Sequence, residues 1–373
     1  MRSIAATTTA RLAAAVWIAP RIVRTLRTRS SAGLDIGGAE PLAVRSDVSV
    51  VIPARNEQHR LPPLLDLLAG RHEVVVVDDG STDDTAAVAR LHGATVVSAS
   101  DRPVGWAGKT WALQCGATAA RGRWIVHLDA DVRPDPSLPD IVVDHAERHR
   151  LDLVSVATSA VLPQPARWLH ASMLATLVYR FGGPGGACPG RELLNGQVIA
   201  ARRELLIGPD GWSAVADHVT EDVALGRHLS RSGRRVALVD GLDLATVEAD
   251  SFAEVWSGWG RSIGLPGATP TWHTAVDVAA MAATMPLPLA RAVTGRADLL
   301  DALLLAIRWG TALGVSSAYR PAGPSVWAAP LADPLALAAV VRSSAQRTVT
   351  WRGRRLPVPR RSWPGRSAVR RTT

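Results

Sequence analysis

The sequence predicts an α/β protein: a mostly parallel, doubly wound sheet flanked by helices, followed by apolar helices associated with a membrane. Three observations predict it. From residue 48 onward, short β-branched runs alternate with helical stretches, the rhythm of βαβ units with right-handed crossovers. Two of those runs stop at acidic pairs: Val74-Val75-Val76-Val77 runs into Asp78-Asp79, and Trp124-Ile125-Val126-His127-Leu128 runs into Asp129-Ala130-Asp131. Beyond Pro270 the texture changes to apolar segments near 275–290, 299–317 and 325–341.

Taken in order, Val48 to Ile52 reads as the first strand, and Pro53-Ala54-Arg55-Asn56-Glu57 turns it into a helix running towards Leu68. Val74 to Val77 is a buried strand of the kind that parallel sheets contain. Gly80-Ser81-Thr82-Asp83 supplies a turn and an N-cap for a helix over Ala86 to Leu91. Thr95 to Ser98 is a short third strand. Thr110 to Ala120 is a helix with small residues on one face, leading into the strand Trp124 to Leu128. Leu153 to Ala157 is a further strand and Trp168 to Phe181 a helix. The flexible stretch Gly182-Gly183-Pro184-Gly185-Gly186 follows, read as lying near an acceptor opening. Glu221-Asp222 opens the helical run Val223 to Leu229, and Val236 to Val239 returns as a strand.

The chemistry sits at the strand ends. In an open α/β sheet ligands bind outside the carboxyl ends of the strands, so Asp78-Asp79 and Asp129-Ala130-Asp131 converge on one crevice. Buried like charges repel unless a cation joins them. Asp78 and Asp79 are placed to accept hydrogen bonds from a base or ribose. Asp129 and Asp131 suit a divalent cation, Mg2+ or Mn2+, that also binds a diphosphate. Lys109 is the only lysine among 42 basic residues. It lies in the loop Gly105-Trp106-Ala107-Gly108-Lys109 ahead of a helix, where a compact ammonium suits a phosphate or a crowded pocket.

Pro53-Ala54-Arg55-Asn56-Glu57, Asp78-Asp79-Gly80-Ser81-Thr82-Asp83, Asp129-Ala130-Asp131 and Thr220-Glu221-Asp222 together resemble the ordered motifs of family 2 glycosyltransferases, over about residues 46–265. Gly105-Trp106-Ala107-Gly108-Lys109 and Gly258-Trp259-Gly260-Arg261 resemble a membrane-associated branch of that family acting on carotenoids, hopanoids and other isoprenoid lipids. The resemblance implies a GT-A fold and a nucleotide-sugar donor, a UDP-sugar foremost. It implies that Pro53, Ala54, Arg55, Asn56, Glu57 and Asp79 contact the nucleotide, that Asp129 lies near the ribose and diphosphate, and that Asp131 holds the metal. Asp222 would be the general base on the acceptor hydroxyl, with Glu221 orienting Asp222 or the acceptor; Arg261 is read as reaching the diphosphate, a plain surface arginine being the alternative. The Gln-x-x-Arg-Trp motif of processive synthases is absent from Trp256-Ser257-Gly258-Trp259-Gly260-Arg261, which points to a single inverting transfer onto a lipid-like acceptor rather than to polymer synthesis.

The expected organisation is a basic amphipathic leader over 1–45, a catalytic domain over 46–265, membrane-associated helices over 266–341 and an arginine-rich tail over 342–373. In the leader Leu12, Val16, Ile22 and Leu26 are interrupted by Arg11, Arg21 and Arg24, the pattern of an interfacial helix kinked at Pro20 or of a disordered leader. The hydrophobic fraction is 47% and the mean hydropathy +0.10, both high for a soluble enzyme. Asp277, Asp301, Arg308 and Asp333 intrude on the apolar segments, each unfavourable by roughly 2.5–3.5 kcal/mol at mid-bilayer. Spanning helices are the favoured reading, surface-lying or re-entrant ones the alternative. The catalytic domain is expected to face the cytoplasm, which calls for an even number of spans before the basic tail. That makes 275–290, with Pro286 and Pro288, the candidate that does not cross. The formal net charge of +9 is carried by ten arginines from Arg342 onward; the first 341 residues sum to −1. Such a tail fits an anionic leaflet, and no nucleic-acid partner is expected. Cys115 and Cys188 match no ligand spacing, which fits a reducing compartment. Two rival readings are a non-catalytic membrane or nucleic-acid binder on the same scaffold, and a sugar nucleotidyltransferase. The latter calls for a Gly-x-Gly-x-Arg signature that the chain lacks near its first strand.

Overall fold

A computed structural model describes residues 2–28, 31–34, 43–185, 190–249, 251–321, 323–351 and 354–358. Helix α1 (Arg2–Thr28) comes first. The α/β body then runs β1 (Val48–Ala54), α2 (Leu61–Leu68), β2 (Glu73–Asp78), α3 (Thr85–Leu91), β3 (Thr95–Ser98), α4 (Gly108–Ala119) and β4 (Trp124–Leu128). It continues through β5 (Val132–Pro134), α5 (Leu138–Arg148), β6 (Leu153–Ala157), β7 (Ser159–Val161), α6 (Gln164–Phe181), β8 (Val198–Arg202) and α7 (Arg203–Ile207). Helix α8 (Glu221–Arg231), β9 (Val236–Asp240) and β10 (Ala245–Glu248) complete it. The C-terminal third holds α9 (Phe252–Ser262), α10 (Thr271–Thr284), α11 (Pro286–Val293), α12 (Leu299–Ser316), a 3-10 stretch (Pro324–Ala332), α13 (Asp333–Ala345) and the ribbon β11 (Thr348–Trp351) and β12 (Arg354–Pro357).

Seven strands form the main sheet in the order β3-β2-β1-β4-β8-β6-β9. All neighbours are parallel except β8, which runs antiparallel to both β4 and β6. This is the mostly parallel, helix-flanked sheet predicted, the GT-A type of architecture, with a reversed strand that the sequence reading did not contain. Successive residues of β1 alternate between two cores, as the pleat requires. Val50 and Ile52 join α2 and α5 on one face, and Val51 joins α4 and α8 on the other. Gly116 lets α4 lie close on the second face: a Cβ there would stand 2.4 Å from Val51 and 2.8 Å from Val77. The β1–β2 register pairs Ala54 with Asp78, so the loops after both strands open on one edge.

A second body of helices packs beside the sheet, its core drawn from α1, α6, α9, α10 and α13. Here the leader differs from the expectation. Helix α1 continues through Pro20, and its faces are inverted relative to an arginine-out pattern. Arg11 and Arg21 are buried, whereas Val16 and Leu26 are 72% and 68% exposed. Arg11 turns inward because it finds the carboxylates of Asp298 and Asp301 at the start of α12. The glycine stretch after α6 is also held rather than free in its described part: Gly183 N–H donates to Thr25 Oγ1 at 2.8 Å and Gly185 N–H to Leu238 O at 3.0 Å. Gly186 and Cys188 lie outside the described residues.

Three stretches, Thr271–Val293, Leu299–Ser316 and Pro324–Ala345, are long and apolar enough to cross a membrane by length and composition. The first is broken where α10 gives way to α11 at Met285-Pro286. Leu299, Leu303 and Leu331 stand 87%, 56% and 64% exposed on these elements. The intruding charges are turned inward and paired: Arg308 Nε donates to Asp333 Oδ2 at 2.9 Å, both side chains fully buried.

Candidate active site

The loops at the carboxyl edge of the sheet enclose a cavity of about 460 Å³. Among the predicted site residues, Pro53, Glu57, Lys109, Asp129, Asp131, Glu221, Asp222 and Arg261 line it. Ala54, Arg55, Asn56, Asp78 and Asp79 do not; they lie at the end of β1, at the end of β2 and in the turns that follow. Asn56 sits in the left-handed region at φ 55°, which a short amide side chain tolerates, and its Oδ1 accepts from Thr82 N–H at 2.8 Å. Glu57 N–H donates to Thr85 Oγ1 at 2.8 Å. These bonds lace the loop after β1 to the loop after β2. Asp78 Oδ1 is occupied by the N–H of Ser81 at 2.9 Å, and Asp79 is fully buried with its own N–H on Ala54 O at 2.9 Å. Asn56 also lines an adjoining hollow with Glu57 and Arg60.

The centre of the cavity is a cluster of four carboxyls around one ammonium. Lys109, at the start of α4, places Nζ 2.8 Å from Asp129 Oδ1 and 3.2 Å from Glu221 Oε1. A cation is ill-placed at a helix N-terminus; these carboxylates more than compensate, and with Asp222 they hold its pKa well above the lysine range against the desolvation that burial imposes. Lys109 thus lies among carboxylates in a crowded pocket. Asp129 is held below the usual carboxylate range despite its burial, by Lys109 and by His127, whose Nε2 is 3.1 Å from Oδ1.

Asp131 differs. Its Oδ1 is buried with no hydrogen-bond partner among the described residues. Burial and the charge of Asp129 push its pKa up to about 6, the behaviour of a carboxylate short of a cation. Among the described residues no three His, Cys, Asp or Glu side chains gather as a closed metal cage. One or two carboxylates with room for phosphate oxygens is instead the donor set that Mg2+ takes at nucleotide sites, and Asp131 with Asp129 fits it. On the other side of Lys109, Glu221 and Asp222 occupy the first turn of α8, where the helix dipole favours negative charge. Burial and the neighbouring Glu221 nonetheless push Asp222 up to about 7.

Sequence reasoning missed two features of this site. The first is the turn Asn195-Gly196-Gln197, which enters β8 and packs on Asp222. A Cβ on Gly196 would lie 3.0 Å from Asp222 Oδ2, and Gly196 O accepts from His127 Nε2 at 2.8 Å. An Asn-Gly pair before a β-branched run signals a turn, though not what the turn rests against. The second is α9, whose Glu254 pairs with Arg60 on the loop before α2 and whose Val255 and Trp259, with Ile263 just past its end, line the cavity with Leu162 and Leu177 as an apolar wall.

A mostly parallel sheet, with Asp129 and Asp131 after β4 and an acidic helix start lining the same cavity, defines a GT-A-type domain. Residues 49–204 match the model of the family described as Glycosyl transferase family 2. Asp222 lies beyond the matched range. A 4,4'-diaponeurosporenoate glycosyltransferase of Staphylococcus haemolyticus is 30% identical over 238 residues, covering 60% of this chain and 62% of that protein. The protein of the same name from Staphylococcus aureus is 28% identical over 242 residues, covering 61% of this chain and 64% of its own. The chain thus spans a little under two thirds of the length of the curated relatives it matches. Among solved structures, one described as a mycobacterial protein is 26% identical with a TM-score of 0.43, covering 61% of this chain and 78% of its own. The glucosyl-3-phosphoglycerate synthase of Mycobacterium tuberculosis, in complex with Mn2+, UDP and glucosyl-3-phosphoglycerate, is 24% identical with a TM-score of 0.41, covering 62% and 85%.

Proposed function

We propose that the protein moves one sugar from a nucleotide-sugar donor, a UDP-sugar foremost, to a lipid-like acceptor, with inversion at the anomeric carbon. The observation that carries this reading is the division of one cavity into an acidic wall and an apolar wall, with Asp222 lining the space they enclose. Asp131 and Asp129 would hold Mg2+ or Mn2+ there, and the metal would neutralise the nucleoside diphosphate that leaves. Asp222 takes the proton of the acceptor hydroxyl as the oxygen bonds to the anomeric carbon and the bond from that carbon to the diphosphate breaks. Its pKa of about 7 suits a general base at neutral pH. Glu221 is tied to Lys109, so it holds the ammonium rather than competing for the proton. Arg261 lines the same cavity and serves the diphosphate.

The apolar wall formed by α6 and α9, together with the carotenoid-related names of the relatives, supports an isoprenoid acceptor. The outward apolar faces of α1, α12 and the 3-10 stretch support membrane association, with the catalytic cavity on the cytoplasmic side where nucleotide sugars are made. Calorimetry of the purified protein against UDP-, GDP- and dTDP-sugars, with and without Mn2+, tests the donor half. Metal-dependent binding of a UDP-sugar is expected. A folded protein that binds none of them would overturn the reading in favour of a non-catalytic scaffold.

A further inference from the structure

Within the apolar arm of the cavity stands one polar side chain to which neither the motifs nor the proposed reaction gives a task. His170, on α6, is only 5% exposed yet lines the cavity among Leu162, Leu177 and Val255. Its ring meets Trp259 edge to face at 4.4 Å between centroids. Its Nδ1 lies 2.8 Å from the hydroxyl of Tyr319, which is fully buried. Tyr319 is fixed in turn by backbone bonds on either side: Ala160 N–H donates to Ala318 O at 2.7 Å, and Arg320 N–H donates to Ala160 O at 3.0 Å.

The tautomer follows from counting protons. Among the described residues His170 is the sole hydrogen-bond partner of the Tyr319 hydroxyl. A buried O–H left without an acceptor is costly, so the phenol donates to Nδ1 and the ring proton sits on Nε2. That nitrogen has no protein partner among the described residues. Burial holds the imidazole neutral, with its pKa driven down to about 3, so the donor is present throughout the physiological pH range.

We infer that His170 offers an Nε2–H donor inside the apolar arm, where it takes an oxygen atom of the acceptor and selects an oxygen-bearing apolar chain over a plain hydrocarbon. The inference rests on the reading of this arm as the acceptor site. Its test uses binding rather than turnover. Tryptophan fluorescence of the full-length protein in detergent is quenched on titration with all-trans-retinol, and separately with axerophtene, the hydrocarbon of the same polyene skeleton. One neutral hydrogen bond predicts that the wild type prefers retinol by about fivefold. His170→Gln keeps an N–H at the same reach and retains the preference. The double variant His170→Leu/Tyr319→Phe removes donor and partner together, so that no buried hydroxyl is orphaned, and loses it. Equal binding of the two probes by the wild type, binding of neither, or an undiminished preference in the double variant would each overturn the inference. A preference that behaves as expected in a protein that transfers no sugar supports His170's role and strikes the proposed reaction alone.

Discussion

Gly196→Ala probes the proposed base without touching it. The new Cβ would stand 3.0 Å from Asp222 Oδ2, 3.2 Å from its Cγ and 3.3 Å from its Cβ, where ordinary contact starts at 3.4 Å. The turn cannot retreat freely, because Gly196 O is held by His127 Nε2 at 2.8 Å. The carboxylate therefore yields, by about 0.4 Å. A displacement of 1 Å at a reacting group costs on the order of 100-fold in rate; a shift of this size predicts a roughly fivefold to tenfold loss of kcat. The methyl also dries a carboxyl that burial already holds at about 7. Transfer by the wild type should rise with pH through about 7 as Asp222 loses its proton, and in the variant that rise should move to higher pH. The assay is transfer of radiolabelled sugar into a lipid extract across pH 5.5 to 9, with donor affinity measured in parallel by calorimetry. Donor affinity should not change. A variant whose kcat and pH profile match the wild type would refute the placement of Asp222 at the reacting oxygen.

Asp222→Asn should abolish transfer and leave donor binding nearly intact; donor binding lost together with activity would remove Asp222 from the role of base. The buried Arg308–Asp333 pair makes a separate prediction about stability. Arg308→Met strands a buried carboxylate and should cost about 3–5 kcal/mol, whereas Arg308→Met/Asp333→Leu should lie near the wild type. Denaturant melts in detergent give both values, and a double variant as unstable as the single would show that the pair contributes more than its own neutralisation. Deleting 359–373 removes five of the ten C-terminal arginines and should weaken binding to anionic vesicles in a salt-dependent way. Partitioning unchanged at low salt would discard the electrostatic anchor. The deletion begins there because Arg342 packs 4.8 Å over the ring of Trp256 and Val349 is buried, so a cut at Arg342 would damage the fold as well as the charge.

The strands were legible because the β-branched runs Val48–Ile52, Val74–Val77 and Trp124–Leu128 are buried on both faces and carry little else. Their ends were legible for the same reason: an aspartate closing such a run has nowhere to go but the edge where ligands bind. Direction is another matter. Nothing in Val198–Arg202 distinguishes an antiparallel strand from a parallel one, since both faces are covered either way. The partner of Lys109 was hidden too. A lone lysine signals a need for a compact cation, but whether phosphate or carboxylate meets it depends on how α4 and α8 approach, which is a tertiary fact. The leader misled for a related reason. Arg11 reads as a solvated charge until Asp298 and Asp301, far along the chain, come to meet it.

That last contact has a consequence for how the protein is made. Arg11 and Asp301 are 290 positions apart, so α1 leaves the ribosome long before its anchor exists. At roughly 5–20 residues per second, between about 15 and 60 seconds of synthesis separate the two. During that interval the whole sheet can fold, while the first helix, with the carboxylate partners of Arg11 not yet made, waits for its seat. A membrane surface or a chaperone is the natural holder for such a segment. The last helices to emerge are then the ones that release it, making assembly of the helical body a late event that reports a completed chain.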